Sequence, residues 1–451
     1  MKRLVTSMAV VIVTLGLVVA GGIAGASTRS ATSEKPTASD IGVSATEIRI
    51  AVIADVDNPF APGLFQGSVD GVKAGAAYLN SKAGGGGLAG RKVVVDFIDT
   101  HLNANDSRNA TITACQNDLA LVGGAALFLS SVDDIVSCKD QAGQATGIPD
   151  MNSVITGVPE TCSPMAFPAI GAAIDCKTIT QNPQTFYGNA GPDKWLLSQN
   201  KGGLKGPMII GNDTKDAARG GTILALASQA AGVKADPSDV IPKSGRDPQS
   251  AYTSVVQQMK TDNANFSLMT SAVTSALELR SEAQLQGIDS AKVAWECVSC
   301  YGNKTVTDNA SAFEGEYQFL GFLPFEEAKY NKTLANFLKF DKQVGGTPDQ
   351  FAAYAFQGTL AFADAVNAAV KTNGINGITR PNLVTGIKSL TDFNAGGMAG
   401  THSFKTGITT NCFVMTQFKS GKWVRVYPTK KGTFDCKASN TATIKANLLG
   451  S

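Results

Sequence analysis

The chain has 451 residues with 43% hydrophobic and 17% charged side chains, enough length and apolar content for two domains with buried cores, which excludes disorder as its main state. Lys and Arg number 39 against 37 Asp and Glu, a net charge of +2 with no basic run, so nucleic acid is not expected as a partner. Only two histidines, His101 and His402, are present, so Ser-His-Asp triads, multi-histidine zinc sites and histidine proton relays lack raw material; an enzyme, a metal and a cofactor are not expected.

Met1-Lys2-Arg3 is a short cationic start, Leu4 to Ala20 is almost uninterruptedly apolar, and Ala24-Gly25-Ala26 supplies small residues for cleavage. Residues 1–26 therefore read as a secretory signal peptide, with a retained anchor as the alternative because the run approaches spanning length. Residues 27–45, rich in Ser, Thr and Ala, carry too little apolar area to order themselves and read as a linker. The expected location is secreted, cell-surface or periplasmic. Eight cysteines agree with an oxidising compartment. Proximity in sequence suggests Cys115 with Cys138, Cys162 with Cys176, Cys297 with Cys300, and Cys412 with Cys436. Cys297 and Cys300 also admit a redox pair or half a zinc site.

In chain order, Ile48–Val56 is a continuous β-branched run, the pattern of a strand buried on both faces of a parallel sheet. Asn58-Pro59 ends it, and Leu64, Val69, Val72, Ala76 and Leu79 recur at helical spacing over 63–81. Strands at 92–99, 119–123 and 148–152 then alternate with helices at 106–118 and 131–142. Residues 153–185 break the rhythm with four prolines and two cysteines, a stapled loop insertion. The alternation restarts with helices at 193–200, 217–231, 248–261 and 275–286 and strands at 207–211, 235–241, 265–270 and 292–296. A β-like stretch at 315–323, helices at 325–344 and 349–372, and a hairpin of 415–418 with 422–427 complete the chain. Two successive α/β units imply two lobes, each a doubly wound parallel sheet.

Gly85 to Gly90 matches G-x-G-x-x-G as a string, but it follows a helix and precedes a strand, the reverse of a phosphate-binding turn. In open parallel sheets, ligands bind beyond the carboxyl ends of the strands. That rule selects Asn58, Phe60, Leu129, Ser130, Ser131, Asn152 and Ser153 in the first unit. In the second it selects Asn212, Asp213, Thr214, Thr270, Ser271 and Glu296. Ser, Thr and Asn donors with a carboxylate and an aromatic suit a small zwitterion; ordinary helix capping is the bland alternative for each.

Residues 42–52 (GVSATEIRIAV), then Gly87-Leu88-Ala89-Gly90-Arg91-Lys92-Val93 and the stretch 349–370 (DQFAAYAFQGTLAFADAVNAAV), resemble the branched-chain amino-acid type of ABC-transporter substrate-binding protein. The resemblance spans residues 42 to about 427. It implies the type I periplasmic-binding fold: two lobes joined by a three-strand hinge, closing on a ligand and docking on a membrane permease. By that pattern residues 46–188 and 323–390 form the N-terminal lobe, and 189–322 and 391–451 the C-terminal lobe. The family's carboxylate-binding positions fall near Ser130, Ser131, Asn152 and Ser153, and its ammonium-binding acid at Glu296. Where the family often carries Tyr, this chain has Asp213 to Asp216 and Thr270-Ser271, which puts leucine-like ligands in doubt. The expected function is capture of a small polar, amino-acid-like solute for an ABC importer; a ligand-sensing receptor using the same clamshell is the alternative.

Overall fold

The structure, a computed structural model, describes residues 34–449 apart from Phe60, Ser130, Ser131 and Thr156. The expected signal peptide and the first part of the expected linker lie outside the described residues. Everything from Pro36 onward belongs to one packed unit.

The apolar run forms β1 (Glu47–Ala54), with α1 (Gln66–Asn80), β2 (Lys92–Asp99), α2 (Ala104–Asn117), β3 (Ala120–Val122), a single turn α3 (Asp133–Val136) and β4 (Asp150–Met151) following it. These strands make a parallel sheet in the order β2-β1-β3-β4, and β1 is central and almost wholly buried, as its unbroken apolar sequence requires. The helix expected over 131–142 stops after one turn. Beyond it the chain folds back as a tight turn in which Asp140 accepts the amides of Ala142 and Gln144, and Cys138 bonds to Cys115.

The insertion contributes α4 (Val158–Thr161) and runs into β5 (Gln184–Asn189), a strand the periodicity does not reveal. The second half comprises α5 (Gly191–Gln199), β6 (Met208–Gly211), α6 (Lys215–Ala231), β7 (Val240–Lys243), α7 (Thr253–Thr261), β8 (Phe266–Met269), α8 (Val273–Leu285), β9 (Ala294–Cys297), α9 (Lys304–Asp308) and β10 (Tyr317–Leu320). The chain then returns to the first half for α10 (Lys332–Gln343), α11 (Gln350–Asn373) and α12 (Arg380–Ser389). It crosses back a third time to β11 (Val414–Lys419) and β12 (Lys422–Tyr427), and ends in β13 (Thr441–Ala446). The second sheet runs β12-β11-β10-β9-β8-β6-β7; its first five strands in the chain pair in parallel, while β11 runs antiparallel to both β10 and β12. Ser420 and Gly421, both at positive φ, make the two-residue turn of the β11–β12 hairpin. β13 pairs antiparallel with β5.

Two features tie the halves internally. Disulfides join Cys115–Cys138, Cys162–Cys176, Cys297–Cys300 and Cys412–Cys436. Residues 37–45, expected as unordered linker, are instead held in place by two fully buried arginines and their neighbours. Arg91 donates to the Thr37 and Ser44 carbonyls (2.8 and 2.7 Å), and Asp40 accepts the Arg380 amide (2.8 Å). The order of this segment comes from distant polar partners together with the single apolar anchor Val43, which is buried in the main core; composition does not reveal either.

The α1–α11 contact depends on glycine. A Cβ at Gly71 would overlap the Ala352 carbonyl oxygen, and one at Gly75 would lie 2.6 Å from the Thr359 Cβ. Gly71→Ala is therefore expected to lower stability by about 1–3 kcal/mol through overpacking. Gly220 lies on the exposed face of α6, where an added Cβ would meet nothing within 4 Å; Gly220→Ala is expected to raise stability by about 0.5–1 kcal/mol. Urea unfolding of the two variants tests the contrast, and equal effects would refute the packing argument.

Candidate ligand-binding cleft

The carboxyl ends of the parallel strands of both sheets carry the loops that meet between the halves. Just past β1, the fully buried Asp55 accepts a hydrogen bond from the Thr100 hydroxyl and from the amides of Leu102 (3.0 Å) and Leu127 (2.7 Å). One carboxylate thus fixes the loops after β1, β2 and β3. Asp99 accepts the amides of Val56, Asp57 and His101; burial opposes its ionisation, but these three donors hold its carboxyl below the ordinary range. Neither residue is among those that strand-end spacing selects. For Asp55 the available signal is an acid placed directly after an otherwise buried strand, and for Asp99 an acid at the last position of β2.

Of the expected first-half residues, Phe60, Ser130 and Ser131 lie outside the described residues. Asn58 is buried in a local turn with Ala61. Ser153 is fully buried, donates toward the Gly123 and Gly124 carbonyls and meets the Ser68 hydroxyl at 3.0 Å. Its hydroxyl is consumed by these partners within the first half. Asn152 is also buried, and its side-chain amide donates to Asp150 (3.2 Å) and Glu160 (2.5 Å). Burial pushes the Asp150 carboxyl up to about 7, and burial together with the neighbouring Asp150 charge raises that of Glu160 well above the ordinary range.

In the second half, Asp213 is exposed and accepts the Ser244 hydroxyl (2.6 Å) and the Gly245 amide (2.8 Å). Thr214 caps α6 by accepting the Ala217 amide, and Asp216 pairs with Arg219. Thr270 donates to the Ile209 carbonyl (3.2 Å), while Ser271 contacts Ser275 (3.2 Å) and the Lys243 carbonyl (3.4 Å). The loops after β6, β7 and β8 are therefore bonded into one rim. The halves approach across it: a Cβ at Gly157 would lie 3.7 Å from the Asp216 carboxylate.

Glu296 stands elsewhere. Spacing puts it at a strand end, but β9 continues to Cys297, and Glu296 is paired mid-strand with Leu268. Trp295 and Cys297 face the main core, so the alternation of the strand turns Glu296 to the opposite side, toward Asp193 of α5. It is 2% exposed, and burial first, then the Asp193 charge, raises its carboxyl well above the ordinary range. Glu296 is thus enclosed beside Asp193 and is not part of the rim formed by the loops after β6, β7 and β8. A hollow of about 660 Å³ lies at the far, amino-terminal edge of the second sheet, around Pro207, Val233 and Met259, away from this cleft. Among the described residues no group of three or more His, Cys, Asp or Glu could hold a metal ion, and no helix is long and apolar enough to cross a membrane.

Two α/β lobes, three connecting passages and a polar rim of strand-end loops define a clamshell that binds solutes. A family model described as periplasmic binding protein matches residues 47–422, and the chain belongs to that family. The family is one of binding proteins, not of enzymes. Solved structures share the fold at low identity. A fatty acid ABC transporter substrate-binding protein from Thermomonospora curvata is 17% identical, with a TM-score of 0.63 over 87% of this chain and 97% of that one. A leucine binding protein from Thermotoga maritima is 13% identical, with a TM-score of 0.62 over 84% and 97%. A solute binding protein from R. palustris in complex with benzoate is 15% identical, with a TM-score of 0.59 over 90% and 99%. No curated protein matches the chain.

Proposed function

We propose that this protein is the extracytoplasmic solute-capturing component of an ABC importer, exported through its N-terminal segment, and that its ligand is a small organic carboxylate. The observation that carries the reading is the meeting of strand-end loops from two sheets across one cleft, at Gly157 and Asp216. A ligand touching both rims stabilises the closed arrangement, which a membrane permease then engages. By the family pattern the lobes are residues 46–188 with 323–390 and residues 189–322 with 391–451, with residues 153–188 of the first also packed against the second. Similar folds are named for leucine, a fatty acid and benzoate, which share a carboxylate and not an ammonium. The position of Glu296 beside Asp193 favours the broader class over amino acids alone.

A thermal-shift panel of leucine, glutamate, octanoate, benzoate and glucose tests this. A ligand at 100 times its Kd adds about 2.7 kcal/mol, enough to move the midpoint by a few degrees. At least one carboxylate is expected to shift it, with glucose silent and the shift retained in Glu296→Gln. A response to glucose alone, or silence to every carboxylate, counts against the reading. Loss of an amino-acid shift in Glu296→Gln would restore Glu296 as the ammonium partner.

A further inference from the structure

The stapled insertion does not belong to one lobe. Its middle is bonded to the first sheet: Asp150 donates its amide to Met165 (2.8 Å), Phe167 to Asp150 (2.7 Å) and Ala169 to Asn152 (2.9 Å). Its later part runs beside β5, with Asp175 donating to Thr185 (2.9 Å) and Tyr187 to Ala173 (2.8 Å). It also touches the third passage between lobes, where Ala172 donates to Gly407 (2.7 Å). On its inner side Val158, Ile174 and Ile179 join an apolar cluster with Ile223 and Ala227 of α6, in the second lobe, and Ile444 of β13. Cys162–Cys176 closes the insertion on itself within that cluster. The end of the chain covers it: β13 pairs with all of β5, and the amides of Leu448 and Leu449 reach the Gln184 side chain (3.1 and 3.4 Å). A Cβ at Gly188 of β5 would lie 2.6 Å from Ala227, so β5 lies directly on α6.

We propose that residues 153–183 are an interlobe strap, rooted in the first sheet, seated on α6 of the second lobe and clamped there by the C-terminal strand. Its function is to hold the lobe arrangement and limit how far the clamshell opens. The lobes cannot part along this side without pulling Val158 and its neighbours off α6 and exposing the cluster to water, which costs apolar burial. Opening is therefore confined to rotation that leaves the strap side shut. The strap also begins at the cleft, since Gly157 faces Asp216 one residue before Val158. Loosening the cluster thus changes the population of open forms from a distance, without any residue of the rim being altered. The proposal rests on the two-lobe reading but not on the identity of any ligand.

The test uses the full chain without ligand, comparing the unaltered protein with Ile444→Ala and with a chain truncated after Ala446, which deletes Leu448 and Leu449. Each variant is first shown to melt in one cooperative transition, and the truncation keeps the test available if Ile444→Ala does not fold. Small-angle X-ray scattering is expected to show a larger radius of gyration in the variants at 25 °C. Amide exchange in residues 157–162 and in the first turns of α6 is expected to rise about tenfold or more, the factor corresponding to about 1.4 kcal/mol of lost local protection. Folded variants with unaltered scattering and unaltered exchange at those segments, whatever their melting temperatures, overturn the proposal and leave the cluster a purely stabilising one. Because no ligand enters the experiment, that result leaves solute capture untouched, and a silent ligand panel leaves the strap untouched.

Discussion

Arg280→Met is expected to destabilise the protein by about 3–5 kcal/mol, because it strands a buried carboxylate. Arg280 and Glu316 are both almost fully buried, their ion pair is 2.5 Å long, and the guanidinium also donates to the Glu314 carbonyl at 2.7 Å. The guanidinium carbon lies 5.1 Å from the centre of the Trp295 ring, which adds a cation–π contact. Burial raises the Glu316 carboxyl above its ordinary range, and the Arg280 charge is what opposes that shift. With the arginine gone, Glu316 must either ionise unpaired in the core or take up a proton at neutral pH. The double variant Arg280→Met/Glu316→Leu removes the charge along with its partner and is expected to recover most of the loss, since a well-packed apolar pair can match a buried ion pair. Urea unfolding of the single and double variants measures this. A loss below about 1 kcal/mol in the single variant would mean that the pair behaves as a solvated surface bridge.

Asp341→Asn is expected to stabilise the protein at neutral and alkaline pH and to do nothing in acid. Asp341 is fully buried on α10, neither carboxylate oxygen has a hydrogen-bond partner, and Asp70 and Asp349 lie close enough to repel its charge. Burial, then those two charges, pushes its carboxyl from 3.8 up to about 7. Between those values the folded protein holds a proton that the unfolded chain has released. The wild type therefore loses stability as pH rises from about 4 to about 7, and the full penalty persists above. The shift converts to as much as about 4 kcal/mol, an order-of-magnitude figure. Stability curves for both proteins should coincide near pH 4 and separate progressively to about pH 8. A constant difference across that range would show that the substitution acts through packing and not through the proton.

Much of the architecture is legible in the residues themselves. The unbroken β-branched run of β1, the helical spacing of Val69, Val72, Ala76 and Leu79 on α1, and the repetition of such pairs on either side of residues 153–185 are local patterns, and local patterns decide element type and the two-lobed plan. Where an element is defined by a distant partner, the pattern fails. β5 and β13 stabilise each other across most of the second half of the chain and have no buried-run signature, and residues 37–45 are ordered by Arg91 and Arg380. The site is less legible than the fold for a related reason. Strand ends can be found by spacing, but the direction of each side chain depends on register and on which face is covered. One residue of alternation on β9 sends Glu296 into the second lobe beside Asp193, and Ser153 turns inward to Ser68. Conversely, Asp55 gathers three loops and Gly157 meets Asp216 only because separate loops converge in space. Local periodicity is a property of neighbouring residues and survives in the sequence. Convergence, register and the strap over α6 are properties of packing between residues far apart, and only the tertiary structure contains them.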